Sequence, residues 1–332
     1  MTDSRKKMKF AVLSLNPGID RVLYLGSPMR PGEMNRASKS VTSQGSKGAN
    51  VAVMLSRLGC GVEYYSFTGG MYGNVSDSFI AAEAEKNPGK IMAHYVESGC
   101  GVRVNTKVID SDGVCTELNE RGGVFTKSES DALTEAFLAS DADIFCMCGS
   151  IPQGVENSVY KSLTEKLNSR GKVTVLDCDG EALRLGMEAK PGFIKPNLFE
   201  LGVFLKSTGL WKSELSEVEK SEEFIAAACG KLHKNSGTEI LCTLGSSGSV
   251  ATGVEGSYFC PPAKVTMRGF SGAGDCFLAG FLAAYFNEGK TLPEALAQAS
   301  ACGGAKVEIE GTLLPVAERV GELAAGVIPR RI

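Results

Sequence analysis

The fold of this chain is most directly predicted by residues 159–176, which read VYKSLTEKLNSRGKVTVL. Val159, Leu163 and Leu167 recur at the spacing of one helical face, and Gly171 separates them from the apolar run of residues 173–176. An apolar run of this length after a glycine predicts a short buried strand. Residues 159–176 are therefore predicted to form a helix followed by a strand, which is the repeating unit of an α/β fold.

The same order of helices and strands continues on both sides of this stretch. Buried strands are predicted at residues 10–15, at residues 146–148, before Ile194 and at residues 240–244, and a helix is predicted over residues 224–232. Helices that alternate with apolar strands place a mostly parallel sheet between two helical layers. We therefore expect a three-layer α/β/α fold.

Two stretches, at about residues 20–43 and 100–126, depart from this alternation. Both carry short strand-like runs with few helix signals, and Pro28, Pro31 and Gly32 interrupt the first. We expect them to form one small accessory sheet that acts as a lid. No linker-like or low-complexity segment divides the chain, so residues 1–332 are predicted to form a single domain that carries this lid.

The composition excludes several classes of function. The 332 residues carry 35 Lys and Arg against 38 Asp and Glu, a net charge of −3, which provides no concentrated basic surface for nucleic acid or an anionic membrane. Because His94 and His233 are the only histidines, sites built from several histidines are excluded. The 11 scattered cysteines include no CxxC pair. The apolar run at residues 10–15 is too short to span a bilayer. We expect a soluble, cytoplasmic protein with cysteines in its core.

The strongest local motif is residues 270–285, which read FSGAGDCFLAGFLAAY. The small residues 272–274 precede an apolar helix whose first acid is Asp275. Small residues let backbone N–H groups converge at a helix N-terminus, where the helix dipole favours an anion. This arrangement suits a phosphoryl group in transit, with Asp275 accepting a proton from a hydroxyl, although Asp275 could also be merely an N-cap or a first-turn acid. A dinucleotide site is not predicted, because Phe277 occupies the third glycine position of that fingerprint.

Two further motifs lie at predicted loop-to-helix junctions. Residues 44–50, QGSKGAN, combine flexible backbone with one cation and one amide, which suits a sugar hydroxyl or a phosphate but also an ordinary capped turn. Residues 195–201, KPNLFEL, follow a predicted strand and place Asn197 and Glu200 on one helical face. This pair could order water around Mg²⁺, which takes few protein ligands, but it equally matches a capping box.

Taken together, these motifs resemble those of the PfkB carbohydrate kinases, the ribokinase-like family. The matching segments follow the family's order across residues 9–320 and are Asn16–Asp20, Gly45–Ala52, Lys195–Glu200, Thr243–Gly248 and Gly272–Asp275. Residues 16–20, 102–106 and 116–119 also resemble the phosphofructokinase and tagatose-6-phosphate kinase branch of that family. The resemblance implies a ribokinase-like fold whose small β-sheet lid often doubles as a dimer interface, and hence a homodimer.

The resemblance also implies which residues carry out phosphoryl transfer from ATP. Asp275 is similar to the family's general base, which deprotonates the acceptor hydroxyl. The backbone that resembles the family's anion hole belongs to Gly272, Ala273 and Gly274. The residues implied to bind ATP, with Mg²⁺ held by Glu200 largely through water, are Lys195, Asn197, Glu200, Thr243, Gly245 and Gly248.

The implied acceptor is a phosphorylated ketohexose. Fructose 1-phosphate is the first choice on the branch resemblance, ahead of tagatose 6-phosphate and then fructose 6-phosphate. The residues implied to hold the sugar are Asp20, Gly45, Lys47, Asn50 and Arg103. Lys47 and Arg103 are implied to supply charge for its phosphate. Arg36, Asn105 and Ser150 lie in more variable motifs and are weaker candidates.

The sequence departs from the family pattern at a few positions. Ser46 stands where the branch usually has a second glycine, which reduces backbone freedom beside the sugar. Cys276 follows the base where Ser or Ala is commoner, and is interpreted as a tolerated small residue. Two alternatives from other classes are disfavoured. A non-catalytic sensor on this scaffold is expected to lack Asp275 or the anion hole, and an oxidoreductase needs the complete dinucleotide fingerprint.

Overall fold

The computed structural model describes residues 7–87, 89–210, 221–269 and 271–332. Phe270, the first residue of the predicted phosphoryl-transfer motif, lies outside the described residues. The described chain forms a ten-stranded sheet and a separate four-stranded sheet. In these parts of the chain, no helix is both long and apolar enough to cross a bilayer.

The described strands and helices alternate through most of the chain. The strands are β1 Lys9–Ser14, β2 Gly18–Leu25, β3 Ala37–Gln44, β4 Gly61–Thr68, β5 Ile91–Glu97, β6 Arg103–Ile109, β7 Cys115–Asn119, β8 Ile144–Cys148, β9 Val173–Asp177, β10 Phe193–Ile194, β11 Glu239–Thr243, β12 Ser249–Gly253, β13 Gly256–Cys260 and β14 Arg330–Arg331. The helices are α1 Lys47–Arg57, α2 Gly73–Lys86, α3 Lys127–Ala139, α4 Val159–Asn168, α5 Gly180–Glu188, α6 Leu198–Ser207, α7 Glu222–Ser236, α8 Ala273–Leu282, α9 Leu292–Val307 and α10 Ala317–Ala324.

The large sheet has the strand order β14-β13-β12-β11-β10-β9-β8-β1-β4-β5. The strands from β11 to β5 pair in parallel, whereas β12, β13 and β14 add an antiparallel edge. The prediction of a mostly parallel sheet is therefore confirmed. Five strands that were not predicted from the sequence, β4, β5, β12, β13 and β14, extend this sheet on both sides of the predicted ones.

Both faces of the large sheet are buried. Along β1, Phe10 and Val12 pack into one apolar cluster with α1, α8 and α9, whereas Ala11 and Leu13 pack into a second cluster with α3 to α7. Successive side chains of a strand point to opposite faces, so a strand that is apolar throughout fits between two helical layers. The predicted three-layer fold is confirmed. The cysteines lie mostly in this core, although Cys100 is exposed and Cys115 is half-buried.

The small sheet has the strand order β3-β2-β6-β7. Strand β2 pairs antiparallel with β3 and parallel with β6, and β7 returns antiparallel to β6. Its strands fall within or close to the two stretches that depart from the helix-strand alternation. The runs at residues 102–104 and 107–109 were predicted as separate strands, but β6 continues through both. Polar residues at alternate positions of β6 face a cleft, which explains why the apolar pattern looks interrupted.

Candidate active site

A cleft of about 340 Å³ lies where the small sheet faces the carboxyl ends of the central strands. The predicted site residues that line it are Asp20, Gly45, Lys47, Asn50, Lys195, Asn197, Glu200, Thr243, Gly272, Gly274 and Asp275. Ligands of open α/β sheets bind at this edge, because the loops after parallel strands converge there. Segments that are far apart in the sequence thus contribute to one cavity.

An ion cluster joins the two predicted lysines at the floor of this cleft. The Asp177 carboxylate is fully buried, and its Oδ1 lies 3.3 Å from Nζ of both Lys47 and Lys195. Although burial raises the pKa of Asp177, the two ammonium groups hold it below its usual range. Asp177 in turn raises the pKa of Lys47, against the effect of burial. The cluster therefore keeps Lys47 charged, and it holds both ammonium groups at the cleft.

Asp275 is a buried acid in the first turn of α8. Gly272 is the N-cap of this helix, and Asp275 Oδ2 accepts a hydrogen bond of 2.8 Å from Asn50 Nδ2. Burial and the neighbouring Asp177 raise its pKa to about 6, while Lys47 and Asn50 act in the opposite direction. A carboxyl group with a pKa near the working pH is well suited to accept a proton. Asp275 is thus not the N-cap of α8 but its first-turn acid, a position that is also compatible with the predicted role as a base.

The start of α8 has the backbone geometry that an anion hole needs. Gly272 precedes the helix with φ +82°, a left-handed conformation that favours glycine. A Cβ atom on Gly274 would lie 3.3 Å from Nζ of Lys195, so that lysine approaches the backbone of the helix start closely. The first N–H groups of the helix and the Lys195 ammonium together form a site for negative charge.

The turn between β3 and α1 brings backbone against Asp20. A Cβ atom on Gly45 would lie 2.3 Å from Asp20 Oδ1 and 2.5 Å from its backbone nitrogen, so only glycine fits there. Ser46, the departure from the family pattern, caps α1 by accepting a hydrogen bond from Ala49 N at 3.2 Å. Its hydroxyl also lies 2.8 Å from that of Ser14. Ser46 thus has a local structural role in the loop that is predicted to bind the sugar.

Three polar residues alternate along β6 on the cleft side of the small sheet. Asn105 donates to Asp20 Oδ1 at 3.0 Å, and Lys107 Nζ lies 3.7 Å from Asp20 Oδ2 and also contacts the hydroxyl of Ser271. Burial raises the pKa of Asp20, against the effects of Lys107 and Asn105. At the other end of the row, Arg103 donates to the carbonyl of Glu120 at 2.9 Å.

Several buried polar atoms around the cleft lack a hydrogen-bond partner among the described residues. They are Asn50 Oδ1, Arg103 Nε, Asn105 Oδ1 and Asp177 Oδ2. Buried polar groups in folded proteins are nearly always paired, so these four atoms are available to a polar ligand or to water in the cleft.

The motif at residues 195–200 forms a capping box. Asn197 Oδ1 accepts from Glu200 N at 2.8 Å, and Glu200 Oε2 accepts from Asn197 N at 2.9 Å. Glu200 Oε1 lies 4.0 Å from Lys47 Nζ and lines the cleft. Among the described residues, no group of three or more metal-binding side chains forms a protein cage. A single carboxylate at a phosphate site suits Mg²⁺, which keeps most of its waters and binds substrate phosphates.

The other predicted residues lie beside the cavity lining. Ala273 stands between Gly272 and Gly274, and Gly245 and Gly248 belong to the turn after β11, where Thr243 N donates to Pro196 O at 3.0 Å. That bond places the predicted nucleotide loop beside the start of α6. Of the weaker candidates, Asn105 lines the cleft, Arg36 is exposed between β2 and β3, and Ser150 accepts a hydrogen bond from Asn16 at 3.0 Å.

Some cleft residues were not predicted from the sequence. They are Asp177, Lys107, Glu117, Asn119 and Ser271. Asp177 directly follows a predicted buried strand, and an acid at the carboxyl end of such a strand is a usable signal. Lys107 follows Arg103 and Asn105 with a spacing of two, which places all three on one face of a strand.

The cleft can be compared with known proteins. A model of the pfkB family of carbohydrate kinases matches residues 12–319. This chain belongs to that family. It is 31% identical to a 1-phosphofructokinase of Rhodobacter capsulatus over 96% of both chains, and 28% identical to one of Bacillus subtilis over 82% of this chain and 84% of that one. The structure of Escherichia coli phosphofructokinase-2 superimposes with a TM-score of 0.85 at 22% identity, covering 97% of this chain and 99% of that one. The predicted family and the ribokinase-like fold are both confirmed.

Proposed function

We propose that this pfkB-family kinase transfers the γ-phosphoryl group of ATP to a hydroxyl of a phosphorylated ketohexose. The observation that carries the proposal is the setting of Asp275, a buried carboxyl group of raised pKa at a helix start, in a cleft that also holds Lys47 and Lys195. A general base, an anion site and fixed cations within one cavity are the parts that phosphoryl transfer requires.

In the proposed reaction, Asp275 takes the proton of the acceptor hydroxyl as the oxygen of that hydroxyl attacks the γ-phosphorus of ATP. The new O–P bond forms while the bond from the γ-phosphorus to the β,γ-bridging oxygen breaks, which releases ADP. Backbone N–H groups of residues 272–274 and the ammonium of Lys195 stabilise charge on the transferring group. Mg²⁺ bound with ATP would neutralise phosphate charge, and Glu200 would hold it largely through water. Asn197, Thr243, Gly245 and Gly248 are proposed to bind the nucleotide.

We propose fructose 1-phosphate as the acceptor and fructose 1,6-bisphosphate as the product. The Rhodobacter and Bacillus relatives are named 1-phosphofructokinase, and the chain aligns with both over most of its length. Asp20, Gly45 and Asn50 are proposed to hold the sugar. Lys47 and Arg103 are proposed to bind its phosphate, and the unpartnered Nε of Arg103 supports that role.

We also propose that the small sheet is a lid and that its outer face joins two copies of the chain. Strands β2, β6 and β7 align Arg21, Thr106 and Leu118 in one row on the face opposite the cleft. Leu118 is 58% exposed, which suits a symmetric contact with a second copy. The free thiols of the chain support a reducing, cytoplasmic location.

ADP release tests the activity and the acceptor together. The protein is mixed with Mg-ATP and, in separate assays, fructose 1-phosphate, tagatose 6-phosphate, fructose 6-phosphate or no sugar. We expect kcat/KM for fructose 1-phosphate to exceed the other values by at least about tenfold, since one misplaced polar group costs at least that much. A higher value with tagatose 6-phosphate would replace the proposed acceptor. ADP release with none of the sugars would leave the non-catalytic sensor as the better account.

A further inference from the structure

Lys306, near the end of α9, is a fully buried lysine that the proposed reaction does not use. Its Nζ donates to the carbonyl oxygen of Gly311 at 3.0 Å and faces that of Ile309 at 3.5 Å. In the part of the chain that the structure describes, it forms an ion pair with no carboxylate. The ammonium therefore faces two main-chain carbonyl groups, which are also the kind of ligand that a bound monovalent cation takes.

A buried ammonium without a paired carboxylate is costly for the fold. Transfer of a charge out of water is unfavourable unless polar groups replace the lost hydration, and an apolar side chain of similar volume is often as stable at such a position. Burial lowers the pKa of Lys306, while the fields of Cys276, Asp275 and Asp20 act in the opposite direction. The stability of the fold therefore does not account for a lysine at this position. The location of Lys306 relative to the cleft does.

Lys306 lies directly behind the predicted anion hole. Its Cε lies 3.7 Å from where a Cβ atom on Gly272 would be. The next residue, Val307, accepts hydrogen bonds through its carbonyl from Arg268 N at 2.7 Å and Gly269 N at 3.1 Å. These bonds fix the segment that leads into the anion hole.

The carbonyl groups that surround Lys306 belong to a loop that also contacts the small sheet. Within residues 308–312, Glu310 pairs with Lys39 of β3 at 2.7 Å, and the hydroxyl of Thr312 contacts that of Ser43 on the same strand. One side of this loop therefore faces the anion-hole segment and the other side faces the small sheet. The Lys306 ammonium lies at the point where both sides meet.

We propose that Lys306 is a resident cation that positions the anion hole, so that the enzyme needs no dissolved monovalent cation for turnover. Lys306 is a positioning residue, because it acts through the backbone of Gly269 and Gly272 and through the loop 308–312. The inference rests on the proposed kinase function, since it assigns Lys306 to the geometry of that reaction.

The first test uses the wild-type enzyme. Turnover of Mg-ATP and fructose 1-phosphate is measured with tetramethylammonium as the only monovalent cation and again with potassium. The two kcat values should agree within about twofold, because tetramethylammonium is too large to enter a carbonyl cage. A kcat that depends on potassium would overturn the inference while leaving the kinase function intact. ADP release under neither condition would instead contradict the kinase function.

The second test removes the cation. Lys306→Ala should lower kcat by about 10- to 100-fold, because a misplacement of about 1 Å at the reacting centre costs that much. KM for both substrates should change less than kcat, and propylammonium, ammonium or potassium should restore part of the turnover. Lys172 provides the control, since its Nζ also donates to a main-chain carbonyl, that of Ala142 at 2.6 Å, away from the cleft. Lys172→Ala should keep kcat near the wild-type value.

Two outcomes of this experiment contradict the inference. An unchanged kcat in Lys306→Ala would show that the ammonium does not position the site. A loss of kcat that none of the cations restores would assign Lys306 a structural role only. If the variant does not fold, the comparison of potassium with tetramethylammonium in the wild-type enzyme still decides the question.

Discussion

At the scale of single residues, a substitution of Asp275 should separate an effect on catalysis from an effect on folding. Because Gly272 and not Asp275 is the N-cap of α8, and because Asp275 lines the cleft, its substitution should affect catalysis more than folding. Asp275→Asn should lower kcat by at least ~100-fold, since a general base contributes roughly 10² to 10⁴. Steady-state ADP release and a thermal melt measure the two effects separately. Turnover close to wild type in a folded Asp275→Asn variant would show that another group accepts the proton.

The pKa of Asp275 predicts the pH profile of the same reaction. Below a pKa of about 6 the carboxyl group is protonated and cannot accept a proton, so kcat/KM should fall as the pH drops through that value. The hydrogen bond from Asn50 stabilises the carboxylate, and its loss in Asn50→Leu should raise the pKa and move the acid limb to higher pH. Profiles of kcat/KM from pH 5 to 8, recorded for the wild-type enzyme and for Asn50→Leu, locate the acid limb of each. An acid limb that stays in place, or moves to lower pH, would contradict this pairing.

At the scale of helices and strands, the loop-to-helix junctions of the site were predictable from the sequence. The residues that these junctions contact across the cleft were not. Residues 45–50 and 272–275 carry their signal locally, because glycines, a cap and a helix start are adjacent in sequence. Asp177 has no such local signature: it is a single acid after a strand, and its pairing with Lys47 and Lys195 depends on three strand ends meeting. The capping box at residues 197–200 shows a further limit on what the sequence pattern can distinguish. One pair of side chains satisfied both the structural and the functional pattern.

The turn before α1 offers a prediction at this scale. In Gly45→Ala the new methyl group would lie 2.3 Å from Asp20 Oδ1 and would displace that side chain. KM for the phosphosugar should rise by about tenfold or more, since displacement of one hydrogen-bonding group in a binding site costs about 1–3 kcal/mol. Gly26→Ala is the control, because no atom lies within 4 Å of its added Cβ. Equal KM values in the two variants would show that Asp20 does not hold the sugar.

At the scale of the whole molecule, the three-layer architecture follows from the helix-strand rhythm, but the closing antiparallel edge does not. Strands β12 and β13 are joined by a short turn, whereas β14 follows only after α8, α9 and α10 and contains only Arg330 and Arg331, which leave no apolar pattern to detect. Lys306 was not predicted either, because the local sequence pattern does not show its tertiary environment. Within the largely apolar α9 its charge resembles an exposed end, whereas tertiary packing buries it.

The last prediction concerns the face of the small sheet opposite the cleft, which is exposed at Leu118, because an apolar side chain in solvent on a sheet face suits an interface between copies. Light scattering of the wild-type protein should give twice the 35.0 kDa chain mass. Leu118→Glu places a charge in the row formed with Arg21 and Thr106 and, across a two-fold axis, faces its own copy, so the mass should fall toward that of one chain. Val254, 79% exposed in the turn between β12 and β13, supplies the control Val254→Glu, which should leave the mass unchanged. A wild-type monomer, or a Leu118→Glu variant that stays dimeric, would contradict an interface through this sheet.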